Sequence, residues 1–98
     1  MKKQIKPSDW VWVVVQNPGV RSEQLLGQSS PKEEVDFVPV FMEKEDAQKC
    51  YHRLVLDKTR DYEIQAIIFE DLTKYAAEGE FIIFILDGSG KILDRVAP

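Results

Sequence analysis

The apolar positions fall into four kinds of pattern. Residues 10–16 read Trp-Val-Trp-Val-Val-Val-Gln, a β-branched and aromatic run that Asn17-Pro18-Gly19 stops. That composition predicts a strand, and its unbroken apolar character predicts cover on both faces. Phe37-Val38-Pro39-Val40-Phe41 alternates, with Phe37, Pro39 and Phe41 on one side and Val38 and Val40 on the other. Pro39 has no N–H to donate, so this strand lies at an edge or has one unpaired side there. Tyr62 to Phe69 is a further strand, with Tyr62, Ile64, Ala66 and Ile68 sharing a face. Phe81 to Leu86 is apolar throughout and predicts a buried central strand. Asp87-Gly88-Ser89-Gly90 is turn chemistry, and Lys91 to Val96 returns as its hairpin partner.

Two segments carry helical spacing. Ala47, Cys50, Tyr51, Leu54 and Val55 fall at i, i+3, i+4, i+7 and i+8. Glu43, Glu45 and Asp46 stand at the start of that stripe, where the helix dipole favours negative charge. Asp71 is suited to N-cap a second, shorter helix through Ala77, with Leu72, Tyr75 and Ala76 as its buried stripe and Gly79 just past its end. Residues 17–36 have no such periodicity. Gly, Pro and Ser recur there, Glu23 to Gly27 suits a short edge strand, and a connection this long in so small a domain points to a functional or mobile loop.

The reading is one α+β domain over residues 1–98: a mixed sheet of about five strands with two helices, in the order β-(loop)-β-α-β-α-β-β. The 98 residues suffice for one domain, and 44% apolar residues suffice for its core. Val13, Val14, Phe41, Ala47, Tyr51, Leu54, Ile64, Ile68, Leu72, Ile83 and Ile85 are expected inside. Two short helices leave part of such a sheet uncovered, so the 17–36 loop, a second copy or another protein must cover the rest.

Charge and cysteine content narrow the function classes. A net charge of −4 disfavours binding to a phosphate backbone, and the basic residues are scattered apart from Lys2, Lys3 and Lys6 near the start. One cysteine excludes an internal disulfide and fits a reducing compartment. No signal peptide is expected, and no run nears the ~20 apolar residues of a membrane span. The expectation is a cytoplasmic protein that binds neither nucleic acid nor membrane.

No constellation spells out a reaction. Asp87-Gly88-Ser89-Gly90-Lys91 lacks the first glycine, the hydroxyl residue and the helix of a phosphate-binding loop. Cys50 lies on an apolar stripe, with no second cysteine nearby. His52, the single histidine, faces outward on the same helix beside Gln48 and Lys49. Glu33, Glu34, Asp36, Glu43, Glu45 and Asp46 lack the spacing of metal ligands. Neither catalytic, cofactor nor metal residues are therefore assigned, and the chain is expected not to be an enzyme. Trp10 and Trp12, two apart on one strand face, suit packing or an interface. With Val38 and Val40 they form the candidate interaction surface, for a homodimer or a protein partner. The alternative is a small-molecule-binding or regulatory domain with residues 17–36 as a lid.

Two resemblances attach to particular stretches. The run from Phe81 to Leu93 is similar to the closing hairpin of thioredoxin-like folds, without their redox cysteines. The segment Phe37-Val-Pro-Val-Phe-Met-Glu-Lys-Glu-Asp-Ala-Gln-Lys-Cys50 resembles the strand-helix unit of SseB-like domains and of Tic22-like chloroplast and cyanobacterial proteins. It covers about fifteen residues in detail, and the whole looks like a small bacterial family. The resemblance to SseB-like domains implies a non-enzymatic interaction role and carries over no catalytic residue.

Overall fold

A computed structural model describes residues 5–30 and 32–97; Lys2 and Lys3 lie outside them. The protein is α+β, with a mixed sheet of seven strands and two helices. In chain order these are β1 (Trp10–Gln16), β2 (Gln24–Leu25), β3 (Gln28–Ser30), β4 (Val35–Phe41), α1 (Lys44–Cys50), β5 (Tyr62–Ile68), α2 (Phe69–Gly79), β6 (Ile82–Leu86) and β7 (Ile92–Val96). A 3-10 turn, Tyr51–Arg53, follows α1.

β1 pairs antiparallel with β5 along its whole length and with β4 on its other side. β4 runs parallel to β6, and β6 turns back into β7. The two strands beyond the expected five come from the segment read as irregular: β2 pairs with the end of β1 and β3 with the start of β4. The segment therefore extends the sheet in its own plane.

Pro39 accounts for the gap it fills. Trp12 pairs with Phe41 and Val13 with Val40, so continuing that register sets Val14 opposite Pro39. Proline has no N–H to give the Val14 carbonyl. Leu26 N–H supplies it instead, at 2.8 Å. β4 is thus an interior strand with its missing donor replaced by the neighbouring segment.

One helix covers each face. On one side Val11, Val13 and Val15 of β1, Val38 and Val40 of β4, and Ile83 and Ile85 of β6 lie under Phe69, Leu72 and Ala76 of α2. On the other side Phe41, Phe84 and Leu86 pack with Ala47 and Cys50 of α1. Phe37 stacks on Phe84 with ring centroids 4.4 Å apart. The strict alternation along β1, β4 and β6 is what sorts these side chains between the two faces.

The first helix begins among Glu43, Glu45 and Asp46 as the sequence reading has it but ends earlier, and the second differs at both ends. The first gives way to the 3-10 turn at Tyr51, and Leu54 is already extended. Tyr51 and Leu54 are only half-buried, and Val55 is 81% exposed. Ile64 and Ile68, on the outer strand, are half-buried as well, while the other seven expected core residues are buried. The second helix starts at Phe69, two residues before Asp71. The segment ahead of β1 satisfies its first donors: Asp9 C=O accepts from Phe69 N–H at 2.8 Å and Pro7 C=O from Glu70 N–H at 2.9 Å. No side-chain cap is then needed. At the other end Glu80, not Gly79, takes the left-handed conformation (φ 57°), and Phe81 N–H bonds back to Ala76 C=O at 2.8 Å. Gly79 is required for a different reason: a Cβ there would meet the Phe81 ring at 2.5 Å.

Candidate interaction face

The four residues expected to form one interaction surface do not share a face. Val38 and Val40 are 1% and 0% exposed, under α2. Alternation puts them opposite Phe37 and Phe41, and α2 closes over them. Trp12 instead packs at the margin of the α1-side core. Trp10 stands 60% exposed at the start of β1.

Register supplies the neighbours that spacing alone does not. Trp10 pairs with Ile68 and Trp12 with Ala66. Directly opposed residues of an antiparallel pair project to the same face, so these four side chains form one apolar patch. Ala66 is exposed, and Trp12 and Ile68 are half-buried. α1 has seven residues and buries Ala47 and Cys50 with Phe41, Phe84 and Leu86. Lys44 Nζ lies 5.6 Å from the centre of the Trp12 ring, a cation-π contact that closes one side of the patch.

Among the described residues β5 also leaves its outer edge open. Leu26 N–H binds Val14 C=O on the β2 side of β1, so the even-numbered residues of β1 direct their polar backbone groups that way. The odd-numbered ones point to β5, as Asn17 N–H to Asp61 C=O at 2.8 Å confirms. Val11, Val13 and Val15 thus occupy the N–H and C=O groups of Ile67, Gln65 and Glu63. The N–H and C=O groups of Tyr62, Ile64 and Ala66 and the N–H of Ile68 point away from β1 and meet no backbone partner among the described residues, while the Ile68 C=O, at the N-cap of α2, serves the first turn of that helix.

The residues weighed for chemistry are dispersed. Cys50 is 1% exposed, and burial raises its thiol pKa above the usual range, with Arg53 opposing and Asp87 adding to the rise. His52 is exposed and meets Tyr51 edge-on at 6.0 Å. Asp87 orders the hairpin turn: its Oδ1 accepts from Ser89 N–H, Ser89 Oγ–H and Lys91 N–H, at 2.9, 2.7 and 2.9 Å. Those bonds, the one from the Ser89 hydroxyl first, hold its carboxyl below the ordinary 3.8. Of the acidic stretch, Glu33 pairs with Arg95 at 2.9 Å and Asp36 accepts from Ser29 Oγ at 2.8 Å. Among the described residues no three His, Cys, Asp or Glu side chains gather in a way that could hold a metal ion.

Two open clefts flank the β2-β3 segment. One, about 500 Å³, lies between Gln16, Leu26, Val55, Asp57 and Tyr62; the other, about 320 Å³, between Gln24, Asp36, Tyr75 and Phe81. Gln28 borders both. Its amide donates to Val55 C=O at 2.9 Å and accepts from Val55 N–H at 2.8 Å, pairing like a strand residue with the chain that follows α1.

Comparison with known proteins returns no matching family model, no similar curated protein and no similar solved structure. Among the described residues no helix is long and apolar enough to cross a membrane.

Proposed function

We propose that this chain is a non-enzymatic interaction module that self-associates through the corner formed by Trp10, Trp12, Ala66 and Ile68. The observation that carries the reading is Trp10, 60% exposed beside Ile68 and next to an open strand edge. A tryptophan is a large, rigid apolar surface with a low entropy of ordering, the kind of side chain that anchors interfaces. Self-association comes before a foreign partner because two-fold pairing is the commonest oligomeric arrangement. The resemblance of residues 37–50 to SseB-like domains points to the same class of role. The buried, single Cys50 fits a reducing, cytoplasmic setting.

The test compares two exposed apolar residues. Trp10→Glu should weaken association at least tenfold in sedimentation equilibrium. Val20→Glu, 57% exposed on the other side of the β1 turn, should leave it unchanged. Equal effects, or none at Trp10, would reject this face.

A small-molecule-binding or regulatory role has one observation in its favour, the cleft of about 500 Å³ beside Gln28. Shifts of the Gln28 and Val55 amides on titration with metabolite mixtures would support it; their absence would count against it.

A further inference from the structure

We infer that a second copy of this chain pairs antiparallel with the open edge of β5, about a two-fold axis through Gln65; this rests on the self-association proposed above. The edge is seven residues of regular strand, with no proline, no lysine and one charged side chain, Glu63, which accepts from Gln65 Nε2 at 3.2 Å. Proteins ordinarily protect a free edge with such residues or with a bulge or a covering segment. β7, the strand at the far side of the sheet, is protected in this way. It carries Asp94 and Arg95, Arg95 is held by Glu33, and a bulge interrupts its pairing with β6.

The register follows from which groups are free. Tyr62, Ile64 and Ala66 present outward N–H and C=O groups, and Ile68 an outward N–H. Centring the pair on Gln65 sets Tyr62 against Ile68 of the second copy and Ile64 against its Ala66. Ile64 and the opposed Ala66 then exchange two bonds, and Ile68 N–H meets the Tyr62 C=O of the second copy. Glu63 falls opposite Ile67 of the second copy, so like charges do not meet.

The side chains agree with that register. On the α1 side, one row would run from Trp10 through Ile68 to Tyr62 of the second copy. The next would run from Trp12 through the small Ala66 to Ile64 of the second copy. The exposed corner of each chain would thus be continued by apolar residues of the other, one strand spacing (about 4.8 Å) further on.

Cysteine substitution along β5 tests the geometry, with the unsubstituted chain as control because Cys50 is buried. Opposed residues without mutual backbone bonds have Cα atoms about 4.5 Å apart, inside the disulfide range. Gln65→Cys should therefore form a disulfide-linked dimer under mild oxidation. Glu63→Cys alone and Ile67→Cys alone should not, because each would face the other's position; mixing the two variants should give a linked heterodimer. A dimeric protein that fails to cross-link at position 65, or links equally at 63 and 67, overturns the edge pairing and leaves the interaction reading standing. A chain that is monomeric at every concentration overturns both. Circular dichroism and an unchanged melting point under reducing conditions confirm that each variant is folded when scored.

Discussion

Ile83→Ala tests the packing account at its centre. Ile83 is 1% exposed, set between Val38 of β4 and Val96 of β7 and covered by α2. The substitution removes three carbons, each worth roughly 0.8 kcal/mol when buried, or about 2.4 kcal/mol. The backbone there is paired on both sides and cannot collapse far, so a cavity penalty brings the expected loss to about 3–4 kcal/mol, within the usual range. With a urea slope of roughly 1 kcal/mol/M, low in the range for small domains, the unfolding midpoint should fall by about 3 M. Leu54→Ala is the informative comparison. The helical stripe gives Leu54 equal standing with Ile83, but it is extended, half-buried and beyond the end of α1. Its loss should be about half that at Ile83. Measured by urea titration followed by circular dichroism, a loss below ~1 kcal/mol at Ile83, or a larger loss at Leu54, would refute the assignment of the core.

Four further outcomes follow from particular contacts. Cys50 should react with a thiol reagent at pH 8 far more slowly than a free thiol and at full rate only in urea, since burial both hides it and raises its pKa; fast labelling of the native protein would contradict its packing. Gln28→Ala should cost about 0.5–1.5 kcal/mol and speed hydrogen exchange at the Val55 amide; unchanged exchange would mean that the side chain does not hold that segment. Asp87 has a depressed folded-state pKa, so its contribution is present above 3.8 and is lost as pH falls through the lower folded value. Asp87→Asn should therefore flatten the acid end of the stability-pH curve, and a curve of unchanged shape would rule out the turn as a contributor. Gly79→Ala should destabilise the protein, because its Cβ meets the Phe81 ring at 2.5 Å; a neutral result would mean that the ring moves freely.

What the sequence made legible depended on how local the cause was. β1, β5 and β6 are runs whose composition and length decide their state, and the alternation of β4 correctly separated Val38 and Val40 from Phe37 and Phe41. The failures came from interactions between distant segments. β2 falls within the Glu23–Gly27 stretch read as a short edge strand, but β3 is three residues long, without periodicity, and is a strand only through its pairing with the start of β4. The true start of α2 depends on carbonyls of Pro7 and Asp9, some sixty residues earlier. The candidate face was half legible. Trp10 and Trp12 stood out by residue type, but Ala66 and Ile68 join them only through the β1-β5 register, which no local pattern encodes. Val38 and Val40 join the tryptophans in the sequence reading by lying on a strand near residues 17–36, but alternation does not say which face a helix covers, and α2 covers theirs.

The claim that this chain self-associates through its exposed corner is tested most directly by the molar mass of the unmodified protein, measured by light scattering across the micromolar range. The account predicts twice the 11.3 kDa of one chain, falling toward one chain on dilution. A mass of one chain throughout that range, with Trp10 fluorescence still that of a solvent-exposed indole, would contradict it.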